Sequence, residues 1–89
     1  MNRNNNKKLM PVIGKVIKKH RLLLGKSIYA ISAECGVPKS TWQDVELATC
    51  NSMDITTLWK ISEGLEIPIE KLLEEIRQEL GESFTLIDE

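Results

Sequence analysis

Five stretches with apolar residues at helical spacing, separated by glycines and prolines, set the strongest limit on the fold of this chain. They predict helices over about residues 11–24, 28–35, 39–47, 55–64 and 69–80. Gly25, Gly36 and Gly81 each follow one of these stretches, where a left-handed backbone can end a helix. Ser27 and Asp54 each precede one, where a side-chain oxygen can accept a hydrogen bond from a free backbone amide. The pattern predicts an all-α chain of five short helices.

The two ends of the chain differ in composition from the part between them. Residues 1–10 are mostly Asn and Lys with few apolar side chains to bury, and they are predicted to form a flexible basic arm. Residues 11–80 are predicted to form the single domain that 89 residues allow. Residues 81–89 form a C-terminal tail, in which the segment 83–87 either pairs as a strand or frays.

The net charge of −1 conceals a separation of charge along the chain. Residues 1–26 contain eight basic residues and no acidic one, whereas residues 65–89 contain two basic and eight acidic residues. This separation favours a basic face for a polyanion and an acidic face directed away from it. The alternative is that both runs are only solvated faces of helices.

Several classes of function lack the residues that they require. Cys35 and Cys50 have no metal-ligand spacing, and we expect free thiols in a reducing cytoplasm. The apolar runs are too short for a membrane span, and the Asn-rich start does not resemble a signal peptide, so we expect a cytoplasmic protein with no membrane partner. One His, two unpaired thiols and no glycine-rich phosphate loop predict no enzyme, no cofactor and no metal site.

Residues 25–46, GKSIYAISAECGVPKSTWQDVE, carry the most specific pattern in the chain. It consists of a glycine turn at Gly36, Val37, the pair Ser40 and Thr41, and Glu46. Together with the continuation TTLWKISEGLEIPIEKLL, this run resembles the helix-turn-helix of the Cro and phage-repressor (XRE) family of transcriptional regulators. The resemblance covers about residues 12–73. It implies a five-helix, lambda-repressor-like domain that regulates transcription, as a repressor, by binding operator DNA with its third helix in the major groove.

The resemblance also implies an ion pair that ties the third helix to the first. Arg21 lies late in the first helix and Glu46 at the end of the third. A planar guanidinium can donate two parallel hydrogen bonds to a carboxylate, which fixes orientation better than a lysine would. We therefore expect Arg21 and Glu46 to be framework residues.

The third helix supplies the residues expected to contact base edges. Lys39 can donate to guanine, Gln43 can pair with adenine and Asp44 can accept from cytosine. The predicted base contacts are Lys39, Ser40, Thr41, Gln43 and Asp44. The predicted phosphate contacts are Lys15, Lys18, Lys19, Ser27 and Tyr29. The alternative for each of these side chains is that it is only a solvated polar residue.

The sequence departs from the family at two positions beside these contacts. Ile28 stands where many members have a Gln that contacts phosphate, and Ala48 stands where a Gly often follows the third helix. The loop 48–53 also lacks basic side chains. Phosphate affinity must therefore come from elsewhere, from basic residues of the first helix and arm and from backbone amides at helix N-termini.

A helix-turn-helix of this type usually binds two half-sites, so we expect a homodimer. The apolar stripe of the fifth helix is longer than one small core needs, and the tail has no partner strand in the chain. The predicted interface residues are Leu73, Ile76, Leu80, Phe84 and Leu86.

A protein-interaction module that keeps this fold is the alternative function. An antitoxin or a partner-binding regulator could use the acidic C-terminal third to bind a basic protein. The acidic isoelectric point of about 5.9 favours this alternative, whereas the polar face of the third helix and the basic first helix favour DNA.

Overall fold

A computed structural model describes residues 3–87, with side chains from residue 7 onwards, and this part of the chain contains five α-helices and no strand. The helices are α1 (Arg3–Leu23), α2 (Ile28–Cys35), α3 (Lys39–Leu47), α4 (Ile55–Gly64) and α5 (Ile69–Leu80). The bounds of α2 to α5 are those that the sequence predicts. None of the described helices is long and apolar enough to cross a membrane.

Local signals in the sequence set these bounds. The Ser27 side chain accepts a hydrogen bond from the Ala30 amide at 3.1 Å, and Asp54 Oδ1 accepts one from the Thr57 amide at 2.7 Å. Gly36 ends α2 with a left-handed backbone, φ +73°. The predicted caps of α2 and α4 are therefore confirmed.

The start of α1 differs from the prediction. The helix begins at Arg3 instead of Pro11, and Pro11 lies inside it. Met10 is buried and Leu9 packs against the core, so tertiary contacts hold the segment helical although Pro11 lacks an amide hydrogen. Residues 3–10, which the sequence predicts as a flexible arm, are thus helical in the structure, and residues 1–2 of that arm lie outside the described part.

The core lies where α1 crosses α3 and α5, and where α2 and α4 close the other side. α1 packs on α3 and α5, α2 packs on α3 and α4, and α4 packs on α5. The largest fully buried side chains of the core are Trp42, Ile17, Ile31, Ile61, Leu65 and Leu72. Trp42 belongs to α3, so the inner side of α3 is packed in the core and its outer side faces solvent.

Helix α5 gives its apolar stripe to this core. Ile76 and Leu80 are buried within the chain, and Phe84 packs against the same core. Because α1 and α4 cover the stripe, Ile76 and Leu80 cannot contact a second copy of the chain in this conformation. This differs from the predicted dimer interface, which includes both residues. Of the predicted interface residues, Leu73 and Leu86 are exposed, and dimerisation itself stays a prediction.

The C-terminal tail forms no strand up to residue 87, and residues 88–89 lie outside the described part. Gly81 turns the chain with φ +89°. The Arg77 guanidinium then donates hydrogen bonds to the carbonyls of Glu82, at 2.9 Å, and Phe84, at 3.3 Å. The tail is thus held against α5.

Helices α1 and α3 are in close contact at Gly14. A Cβ atom on Gly14 would lie 2.3 Å from the carbonyl oxygen of Val45 and 3.0 Å from that of Glu46. Only a residue without a side chain fits there, so Gly14 sets the distance between α1 and the end of α3.

Candidate nucleic-acid interface

Helices α2 and α3 are joined by a turn of three residues, 36–38. Val37, in this turn, is buried, as are Trp42 and Val45 on the inner side of α3. These contacts fix α3 against the rest of the chain. They leave its opposite side, with Ser40 and Gln43, exposed to solvent.

The five predicted base contacts divide into two groups. Lys39, Ser40 and Gln43 are exposed on the outer side of α3. Thr41 is half-buried, and it lines a cavity with Asp44 and residues at the start of α4. The Asp44 carboxylate accepts a hydrogen bond from the Thr49 hydroxyl at 3.0 Å. The structure thus brings Lys39, Ser40 and Gln43 together as an open polar face. Asp44 is exposed beside them but hydrogen-bonded to Thr49, and Thr41 lies towards α4.

The ion pair that the resemblance implies lies beneath this face. Arg21 Nε donates to Glu46 Oε2 at 2.6 Å, and Arg21 Nη2 donates to Glu46 Oε1 at 2.9 Å. The side chains are only 10% and 5% exposed, respectively. The hydrogen bond from Arg21 to the Glu46 carboxylate raises the pKa of the guanidinium, which therefore stays charged although burial opposes this. The predicted pair is present and buried.

Two further contacts make this pair a junction between three segments. Arg21 Nη1 donates to the carbonyl of Lys26 at 2.9 Å, which fixes the turn between α1 and α2. The Trp42 indole donates to Glu46 Oε2 at 2.6 Å from within α3. One buried cation therefore orients α1, the start of α2 and the end of α3 together.

The lysines of α1 do not form the single basic face that the charge pattern suggests. Lys15 Nζ lies 3.8 Å from Glu79 Oε2, and Lys19 forms an ion pair with Glu75, both on α5. Lys18 instead lines a groove beside α3. The acidic and basic segments partly neutralise each other, and only Lys18 of these three predicted phosphate contacts borders the polar face.

The contact between Glu75 and α1 predicts how stability depends on pH. The ion pair with Lys19 and the contact with His20, whose Nε2 lies 2.8 Å from Glu75 Oε1, hold the pKa of Glu75 below its usual value although burial opposes this. The stabilisation is present above the usual carboxyl pKa and is lost as the pH falls through the lowered one. In urea unfolding from about pH 7 to 3, Glu75→Gln should be less stable than the wild type at neutral pH and should approach it at the acidic end.

The exposed residue Glu70, on the same helix, provides a matched control. Glu70→Gln removes a carboxylate that forms no ion pair with another described residue, and it should cost less stability at neutral pH than Glu75→Gln does. A stability difference between Glu75→Gln and the wild type that stayed constant down to pH 3 would contradict this role of the carboxylate.

A lysine from the unexpected first turns of α1 borders the loop after α3. Lys7 and Pro11 line a cavity together with Ala48, Cys50 and Asn51. Because this loop contains no basic residue of its own, the N-terminal extension of α1 supplies the positive charge there. Ala48 has a left-handed backbone, φ +57°, the conformation that glycine adopts without steric cost.

The two predicted contacts on α2 lie at its exposed start. Ser27 caps the helix, and its hydroxyl oxygen accepts from a backbone amide. Tyr29 is exposed, with its ring outside the core. Both therefore lie at the end of α2 where free amides can meet an anion.

Sequence reasoning missed two residues that position this surface. Trp42 was not among the predicted framework residues, although its indole donates a hydrogen bond to Glu46. Gly14 was not singled out, although a glycine inside a helical pattern indicates a close approach of two backbones. The role of Gly14 could have been predicted from the sequence. The contact of Trp42 could not, because it depends on Glu46 turning inward.

The surface around α3 is a face of polar side chains over a buried ion pair. The described part of the chain contains no group of three or more His, Cys, Asp or Glu side chains that could bind a metal ion. In comparisons with known proteins, no family model, no curated protein and no solved structure matches the chain.

Proposed function

We propose that this protein is a sequence-specific DNA-binding transcriptional regulator, a repressor that binds operator DNA as a homodimer. In this proposal α2 and α3 are the helix-turn-helix of a lambda-repressor-like domain, and α3 enters the major groove. The observation that carries it is the exposed face of Lys39, Ser40 and Gln43 on a helix fixed by the buried pair of Arg21 and Glu46. Because the inner side of α3 is fixed by buried contacts, its outer side can present donors and acceptors to base edges in one orientation.

The distribution of unpaired lysines supports DNA as the ligand. Lys7, Lys18 and Lys39 have no acidic side chain within ion-pair distance among the described residues, and they flank α3 or the loop that follows it. These lysines, together with the amides at the start of α2, are suited to phosphate oxygens. Lys15 and Lys19, which pair with α5, are not part of this set.

The experiment is selection of duplexes from a random DNA pool, followed by anisotropy titrations at several salt concentrations. Three phosphate contacts per chain predict that log affinity falls with log salt at a slope of about −3 per bound chain. Gln43→Ala should reduce discrimination at one base pair by roughly 5- to 150-fold. Lys18→Ala should weaken binding to selected and random DNA alike.

The exposed lysine Lys71, on α5, provides the control, and Lys71→Ala should change neither affinity nor discrimination. Affinity that does not respond to salt, or equal binding of selected and random duplexes, would contradict the proposal. Sedimentation of the complex gives the number of chains per duplex, expected to be two.

A protein-interaction module is the second candidate, and one observation favours it. Leu22, Leu24 and Tyr29 are exposed around the turn between α1 and α2, while Lys15 and Lys19 are neutralised by α5. Exposed apolar side chains near one turn suit a protein partner better than a phosphate backbone. The absence of selected duplexes in the same experiment would favour this candidate.

A further inference from the structure

The outer face of α3 changes from polar to apolar along the helix. Ser40 and Gln43 are polar, whereas Leu47, one turn beyond Gln43 on the same side, is 71% exposed. A side chain so exposed contributes little to the core. A ligand that contacts α3 can therefore bury the apolar surface of Leu47.

Leu47 borders a groove of about 200 Å³ between α1, α2 and α3. Ile28, Lys18 and Gln43 also line it, so one wall is apolar and the rim carries a cation and an amide. Arg21 and Glu46 lie at its base, but their polar atoms already bind each other, the Lys26 carbonyl and the Trp42 indole. What the groove offers beside Gln43 is therefore mainly apolar surface.

We propose that Leu47 determines specificity by packing against the C5-methyl group of a thymine, an inference that rests on the proposed DNA-binding function. The thymine methyl is the one apolar group among the base edges in the major groove. Residues 43 and 47 are about 6 Å apart along the helix axis, and successive base pairs are about 3.4 Å apart. The thymine lies within two base pairs of the base that Gln43 contacts.

Replacing each thymine of a selected duplex by deoxyuridine tests this contact, because uracil keeps every hydrogen bond of thymine and removes only the methyl group. At one position the wild type should lose about fourfold in affinity, the ratio that corresponds to exposing one methyl group. Leu47→Ala should bind the thymine duplex more weakly than the wild type does. It should also bind the thymine and uracil versions of that position equally.

Leu23, which is 76% exposed on α1 and lines no part of this groove, provides the matched control. Leu23→Ala should keep the fourfold preference, and thermal melts should show both variants folded. If uracil weakens the wild type and Leu47→Ala by the same factor at every position, the inference is overturned while the DNA-binding proposal stands. If no duplex is selected, the DNA-binding proposal fails, and this inference fails with it.

Discussion

Replacing Gly14 by alanine is expected to lower the free energy of unfolding by about 2 to 3 kcal/mol. The new Cβ would lie 2.3 Å from the Val45 carbonyl oxygen, a backbone atom that cannot rotate away. Alanine favours a helix over glycine by about 1 kcal/mol, so the steric cost must exceed that gain. Helix α3 would have to move away from α1, which would also disturb the contact between Arg21 and Glu46. Chemical denaturation of the two proteins measures the difference.

Gly64, the last residue of α4, provides a second glycine at which the steric cost of a Cβ can be compared. A Cβ on Gly64 would lie 3.0 Å from Cys35 Cβ and 3.1 Å from Cys35 Sγ, so it would need a shift of only a few tenths of an ångström, and the thiol can rotate away. Gly64→Ala should therefore destabilise the protein much less than Gly14→Ala does. Equal or greater stability of Gly14→Ala relative to the wild type would show that α1 and α3 do not approach as closely as described.

The sequence predicted those parts of the fold that depend on neighbouring residues. The start of α2 depends on Ser27, three residues from the amide that it caps, and its end depends on the left-handed conformation of Gly36. Both signals lie within a few residues of the structure they determine. For this reason the bounds of α2 to α5 could be predicted without knowing how the helices pack.

The parts that sequence reasoning missed depend on contacts between distant segments. Lys15 and Glu79 are 64 positions apart, and nothing local indicates that α5 would neutralise lysines of α1. The helical start of α1 depends on the burial of Met10, which outweighs the effect of Pro11. The burial of Ile76 likewise depends on which helices cover α5. In each case the structure depends on how the helices pack, which the periodic pattern does not reveal.

The candidate site falls between these two cases. The outer positions of α3 follow from helical geometry once Trp42 is placed in the core, so the exposure of Ser40 and Gln43 could be predicted. The pair of Arg21 and Glu46 came from resemblance alone, because their separation of 25 positions carries no local signal. The tether of Asp44 to Thr49 depends on how the loop after α3 folds back, which sequence did not indicate.

Removing the Arg21 guanidinium is expected to destabilise the protein by about 3 to 5 kcal/mol, the range for breaking a buried ion pair from one side. Arg21→Ala leaves the Glu46 carboxylate, whose side chain is 5% exposed, without its cation. It also leaves the Lys26 carbonyl without its donor. Arg21→Lys should fall between alanine and the wild type, because an ammonium keeps the charge but cannot make the planar two-point contact.

A double-mutant cycle distinguishes the loss of the pair from the loss of packing. Once Glu46 is replaced by leucine, Arg21→Ala should cost much less than it does in the wild type, since no buried carboxylate remains to be left unpaired. Lys18→Ala, which removes an exposed cation from the same helix, should leave the urea midpoint nearly unchanged. A cost below about 1 kcal/mol for Arg21→Ala would place the pair in the range of exposed salt bridges and would contradict its role as the junction beneath α3.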